Sequence, residues 1–483
     1  MKKFFKFLGI VLLLFIAYIL FKTFTFSSNQ LQVEPITKIE ITDEAIGRFT
    51  DALKLKTISH EDPANFDSAA FRAFNQLIID HFPLVDSLLD KKLFNEFSHL
   101  FTWRGTDASL QPIVLMGHID VVPIASPDQW DEDPFGGAVK DGVIWGRGTI
   151  DDKFSVIGIL ESVEMLLKEG YQPKRTIYLA FGHDEEVGGD LGAIPMATYL
   201  ENQGIEAAFV LDEGYAITQK LIPGVEPDVA FIGVAEKGST SIELIVEKEG
   251  GHSSRPDKET AIDIMAAAVA KLKANPLEAR ITTAMHGFMD MVGPEMGFVN
   301  KMGFANRGLF KKLIISTYEN VSGAGNALLR TTTAPTIFEA GIKENVIPFR
   351  ARAIINFRII PGQTAEDVMA HVKEIIADER VRASFYGFNT EPSPVSPTDT
   401  DGHEIINRTI RENFPEALTA PNLVIAATDS RHFTGVSPNV YRFVPYHINE
   451  DNIQTFHGIN ERIPVEDYKD AIRFYRQLII NSN

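Results

Sequence analysis

Short apolar runs that end in histidine or acid recur along the first half of this chain, with helical periods between them. Pro112–Gly117 (Pro-Ile-Val-Leu-Met-Gly) reads as a strand ending at His118. From Asp152 to Lys168 the apolar residues Val156, Ile159, Leu160, Val163, Leu166 and Leu167 fall on one helical face, and Gly170 follows as a cap. Thr176–Phe181 reads as a second strand, Ala193–Asn202 as a helix and Ala207–Leu211 as a third strand. Strand, helix, strand at this spacing predicts an α/β domain with a mainly parallel central sheet.

A second pattern begins near Lys237. Ser241–Glu247 alternates like a half-buried strand, Ile262–Leu272 is an alanine-rich helix, Arg350–Ile360 a strand and Thr364–Ala377 a helix. Pro-rich Glu391–Thr400 marks a crossing back to the first domain. The expected organisation is therefore an N-terminal segment 1–26, a polar linker 27–44, a first part of the main domain 45–238, an inserted smaller α+β domain 239–390 and a second part of the main domain 391–483.

Lys2, Lys3 and Lys6 precede an uncharged run from Phe7 to Phe21 closed by Lys22. With its flanks this stretch approaches the roughly 20 residues that span a bilayer. No small-x-small cleavage site is evident after it, so a signal anchor is expected ahead of a cleaved signal peptide or a core helix. The basic flank would stay in the cytoplasm, leaving the rest periplasmic or extracellular.

The chemistry-bearing residues cluster just past the strands. Gly117-His118-Ile119-Asp120-Val121-Val122-Pro123, His183-Asp184-Glu185-Glu186-Val187-Gly188-Gly189 and Asp212-Glu213-Gly214 are three such loops. A fourth, Asp151-Asp152, opens the long helix after Gly146-Arg147-Gly148-Thr149-Ile150. In open α/β sheets these loops converge beyond the carboxyl ends of the strands. Taken singly each is weak: an accidental pair, a solvated loop, a helix cap or a turn. Together they crowd carboxylates that would repel one another unless cations neutralise them. The chain has no cysteine, so any metal is held by His and carboxylates. Its net charge of −19 makes nucleic acid a poor partner.

These segments, with Gly251-His252-Ser253-Ser254 and Phe456-His457-Gly458-Ile459-Asn460-Glu461, resemble the aminoacylase and carboxypeptidase S family of co-catalytic zinc peptidases. The likeness runs from about residue 45 to the C-terminus and is nearest to the carboxypeptidase S branch, which includes hydrolases of N-fatty-acyl amino acids. It implies a zinc-peptidase catalytic domain with an inserted lid or dimerisation domain, and two Zn2+ per subunit. Asp151 would bridge the ions. Glu186 and His457 would complete one, His118 and Asp212 the other, with Glu213 the alternative one residue on. Glu185 would be the general base, and Asp120 would fix the tautomer of His118. A cis Asp151–Asp152 peptide bond is also implied.

In the inserted domain, His252 matches a residue that reaches the partner subunit's site in dimeric relatives, where it would stabilise an oxyanion. A surface turn histidine is the plainer reading. Asn345 and Arg358 stand where relatives place substrate contacts, and Arg431 is the candidate grip for a substrate carboxylate. A structural salt bridge is the competing reading for each arginine. The family contains monomers and homodimers. The substrate would be a short peptide or an N-acyl amino acid, with condensation as the reverse reaction; a non-catalytic binding module is the alternative. Met285, Met289, Met291, Met296 and Met302 are five of the chain's eleven methionines, in a segment that could meet a fatty acyl chain or pack as core.

Overall fold

The structure, a computed structural model, describes residues 1–321 and 323–483. At its centre, strand Ile113–His118 lies between Ile177–Gly182 and Phe209–Asp212, parallel to both. Val440–Arg442 extends this parallel core beside Phe209–Asp212. Antiparallel strands Ser98–Trp103 and Asp90–Phe94 close one side, while Val229–Glu236 adds antiparallel beyond Val440–Arg442 and pairs in parallel with Leu418–Val424. The expected α/β fold with a parallel-centred sheet is the observed one. Apart from half-buried Tyr178, the three central strands are buried along their length, as a sheet covered on both faces requires.

Helix Lys153–Lys168 packs against this sheet and against helices Asp43–Leu53 and Val465–Asn481. Its apolar periodicity predicted one buried face, yet neighbours cover nearly all of it, Glu161 and Glu164 included. Each of those acids has its own partner. Glu161 takes a two-pronged bond from Arg48 at 2.5 and 2.7 Å, and Glu164 accepts the backbone N–H groups of Leu84 and Val85. The second contact caps the start of helix Pro83–Leu88, where unpaired N–H groups favour an anion.

The smaller sheet contains Gly238–Glu247, Thr332–Ala340, Arg350–Ile359 and Val381–Thr390, all antiparallel. Gly238–Glu247 alternates buried with half-exposed residues, and helices Ala261–Ala274 and Ala365–Ile376 cover its buried face. The chain leaves and re-enters the central sheet at adjacent points. Ser393 donates its backbone N–H to Glu236 O at 3.1 Å, and its hydroxyl accepts from Glu236 N at 2.8 Å.

The methionine-rich segment folds as helices Thr283–Val292, Phe298–Ala305, Arg307–Val321 and Gly323–Leu329. It packs on the central sheet: Met285, Met289 and Met296 form one core with Phe231, Leu418 and Ala420. Gly287 makes the approach to Pro421 possible, since a Cβ there would lie 2.4 Å from the proline ring.

Helix Lys2–Thr25 is long and apolar enough to cross a membrane, and its side chains are exposed except near its end. The following segment has no regular structure until Asp43, but it is pinned to the body. Gln30 donates to Met291 O and Thr419 O at 3.0 Å each and accepts from Thr419 N at 2.9 Å.

Candidate active site

The acidic loops converge at the carboxyl ends of the parallel strands. Asp151 lies at their centre: its Oδ1 is 2.8 Å from His118 Nε2 and its Oδ2 is 2.7 Å from His457 Nε2. Glu186 Oε2 lies 3.4 Å from the same nitrogen of His457. Two donor groups therefore share one carboxylate, His118–Asp151–Glu213 and Asp151–Glu186–His457, each with its donor atoms within 4.8 Å of one another. The Asp151–Asp152 bond is cis.

The structure groups Glu213, not Asp212, with His118 and Asp151. Asp212 is the last residue of its strand and turns to the other side, where its Oδ2 accepts the backbone N–H of Ser430 at 2.8 Å. Successive side chains on an extended backbone point to opposite faces, so one residue of register exchanges the two roles.

Asp120 organises the rest. Its Oδ1 lies 3.2 Å from His118 Nδ1, and its two oxygens accept the backbone N–H groups of Glu185 at 3.2 Å and Glu186 at 3.1 Å. Ser59 donates to it at 2.6 Å. One buried carboxylate thus orients a candidate ligand ring and fixes the backbone carrying both glutamates. Glu185 is grouped with His118 and Glu186 at this centre.

Sequence reasoning gave no role to Glu461, although it closes the quoted Phe-His-Gly-Ile-Asn-Glu segment. It is fully buried, pairs with Arg147, and accepts from the backbone N–H groups of Gly148 at 3.0 Å, Ile150 at 2.7 Å and Asp151 at 3.3 Å. Asp429 was also passed over. Both of its oxygens are buried and, among the described residues, without hydrogen-bond partners, and a Cβ at Gly189, where φ is +75°, would fall 2.3 Å from one of them.

Burial and mutual repulsion dominate the electrostatics. Burial first, then the charge of Asp151, holds Glu213 well above the ordinary carboxylate range. Burial also raises Glu185, with Asp429 and Glu186 adding to it. Against its own burial, Asp151 is lowered by His118 and His457. Hydrogen bonds to Asp151 and Glu186 lift His457 to about 10. So many acids around two imidazoles need cations. The donors are imidazole nitrogen and carboxylate oxygen, a set suited to divalent metal, and Glu186 Oε1 is buried with no hydrogen-bond partner among the described residues. The residues fit a metal centre.

The substrate candidates fall into two groups. The charge of Arg431 reaches Arg358: burial and then Arg431 lower Arg358 below its usual value. Among the described residues neither has a carboxylate within 4.0 Å, so the salt-bridge reading of these arginines is not what the structure shows. His252 and Asn345 meet on the smaller domain: Ser253 N donates to Asn345 O at 3.2 Å, and His252 and Asn345 line one surface cavity of about 540 Å³. His252 is exposed, its ring contacts Ser254, and it is not among the groups around Asp151.

This fold and this carboxylate-bridged donor set define a metal-dependent hydrolase. The chain belongs to Peptidase family M20/M25/M40, which residues 114–481 match. It is 40% identical over 486 residues to "Probable carboxypeptidase S-like 2" of Dictyostelium discoideum, covering 98% of this chain and 92% of that one. It is also 40% identical over 439 residues to the human "N-fatty-acyl-amino acid synthase/hydrolase PM20D1", covering 89% and 86%. Among solved structures it is similar to the M20 family metallo-carboxypeptidase Sso-CP2 of Sulfolobus solfataricus, with a TM-score of 0.65, 18% identity and coverage of 91% and 99%. The family places the chain with hydrolases, and the non-catalytic alternative is not favoured.

Proposed function

We propose that this chain is a two-zinc amide hydrolase that releases an amino acid from an acyl or peptidyl partner. The observation that carries this reading is the Asp151 carboxylate, which offers one oxygen to each of two His-and-Glu groups. His118, Asp151 and Glu213 would hold one ion, and Asp151, Glu186 and His457 the other. Bound there, the ions would acidify water and polarise the scissile carbonyl.

The chain's own residues supply the rest. Glu185 takes the proton of the attacking water and returns it to the leaving nitrogen. Asp120 keeps Glu185 and His118 in place through the contacts described above. Arg431, with Arg358 beside it, receives the free carboxylate of the amino-acid moiety, because a guanidinium matches a carboxylate with two parallel hydrogen bonds. The exposed setting of His252 favours an action across a homodimer, on the partner's site, with Asn345 beside it. Helix Lys2–Thr25 anchors the enzyme in a membrane, with the catalytic body on the non-cytoplasmic side.

Between substrates, the names of the relatives at 40% identity support both a peptide and an N-fatty-acyl amino acid. Hydrolysis of an N-oleoyl amino acid beside a matched dipeptide, with added zinc and with chelator, tests the reading. Zinc-dependent release of amino acid from either is expected, and the faster substrate names the role. No release from either by protein holding two metal ions overturns it.

A further inference from the structure

Helix Lys2–Thr25 does not stand apart from the body. Its last turns pack on helix Phe298–Ala305. Asn306 Nδ2 donates to Ile19 O and to Thr23 Oγ1, both at 3.3 Å, and the rings of Phe24 and Phe298 lie 6.0 Å apart. Thr23 is buried, and Phe26 packs into the core that contains Met296 and Phe304. Together with Gln30, these contacts fix the orientation of the body relative to the end of the helix.

The surface held beside that end is apolar. Phe298, Val299, Leu309 and Leu313 are exposed by 50%, 72%, 54% and 65%. Leu309 and Leu313 are one helical turn apart, so they share a face of Arg307–Val321. Between Val299 and Leu313 opens a largely apolar cavity of about 310 Å³, lined also by Met296, Phe304, Phe310 and Ile314. The charge is equally unusual. In a chain of net −19, residues 298–318 contain Lys301, Arg307, Lys311 and Lys312 and no acid, and Lys311 and Lys312 are exposed. None of these features serves the centre around Asp151.

We propose that helices Phe298–Ala305 and Arg307–Val321 form a membrane-docking face, lying on the bilayer into which Lys2–Thr25 inserts. Phe298, Val299, Leu309 and Leu313 enter the acyl region, and Lys311 and Lys312 meet anionic headgroups. Apolar side chains flanked by lysine are the chemistry of an interfacial helix, and the adjoining spanning helix supplies the local concentration that a weak surface needs. This rests on the reading of Lys2–Thr25 as an anchor and is independent of the hydrolase reading.

The absence of cysteine gives a clean test on the full chain. Single variants Val299→Cys and Leu313→Cys carry an environment-sensitive fluorophore in vesicles of phosphatidylcholine and phosphatidylglycerol. Tyr18→Cys reports the anchor, and Phe388→Cys, exposed on the smaller sheet, reports bulk water. Labels at 299 and 313 are expected to lose fluorescence to a bilayer-borne quencher, as the label at 18 does, and to be shielded from aqueous iodide. Lys311→Glu with Lys312→Glu should reduce that quenching at 313. Labels at 299 and 313 that behave like the label at 388 overturn the docking face. In that event quenching at 18 shows that the anchor stands, and its absence that the anchor has failed too.

Discussion

Glu461 and Asp151 are 310 positions apart in sequence, yet the buried Glu461 carboxylate receives the backbone N–H of Asp151 at 3.3 Å. It also receives those of Gly148 and Ile150, so the loop presenting the bridging carboxylate is wrapped around one acid. Asn460, with its positive φ, and His457 at φ +54° form the turn that delivers both Glu461 and the His457 ring. Replacing Glu461 by Gln keeps the shape but removes the charge opposite Arg147. Supports of this kind contribute about 10–100-fold to metal affinity or activity. Metal titration of Glu461→Gln should show a loss in that range, and affinity equal to the parent chain would refute this role.

The register at the end of strand Phe209–Asp212 separates two acids with different tasks. Glu213→Gln should leave the purified chain with one tightly held metal ion, whereas Asp212→Asn should retain two and lose stability through the Ser430 contact. A buried hydrogen bond to a charged acceptor contributes about 1.5–3 kcal/mol. Elemental analysis together with denaturant unfolding of the two variants checks this, and the reversed pattern would restore Asp212 as the ligand.

Arg431 should discriminate by the substrate's free carboxylate. Arg431→Leu is expected to lower kcat/KM by roughly 30-fold, the equivalent of about 2 kcal/mol for a lost charge-assisted bond. The same variant should act on a carboxamide-terminated substrate as the parent chain does. Equal losses on both substrates would contradict the assignment.

Stability should fall in mild acid because His99 and His403 are buried as neutral rings. Burial, aided at His99 by Lys91, lowers His99 to about 3, and burial lowers His403 to about 4, from an ordinary 6.5. Below pH 6.5 the unfolded chain binds protons that the folded chain does not, so stability present above that value is lost as pH falls toward 4. At pH 5.5 each ring accounts for about 1.4 kcal/mol of loss. His99 Nε2 lies 2.6 Å from Asn75 Oδ1. Urea unfolding of His99→Gln at pH 7.5 and 5.5 should show a pH dependence smaller by about that amount; an unchanged dependence would refute it.

Much of this was legible because strand endings and acidic loops coincide in sequence. Ile113–His118, Ile177–Gly182 and Phe209–Asp212 fall where apolar runs end in His, Gly-His-Asp or Asp-Glu, and the helix after Asp152 follows a clear period. Periodicity could not show that Lys153–Lys168 is covered on nearly every side, since its two buried acids look like solvent-facing residues until Arg48 and the start of Pro83–Leu88 are brought to them. The choice between Asp212 and Glu213 turned on which face one side chain leaves, and that depends on strand pairing. Glu461 lay within a recognised motif, but its task is to bind backbone groups from a loop over three hundred residues away, which no local pattern encodes.

The most direct test is titration of metal-free protein with Zn2+, following bound metal and amino-acid release together. Two ions bound per chain, with activity lost in Glu185→Gln although both ions remain, is the expected result. A single bound ion, or full activity in Glu185→Gln, would contradict a two-metal centre served by this base.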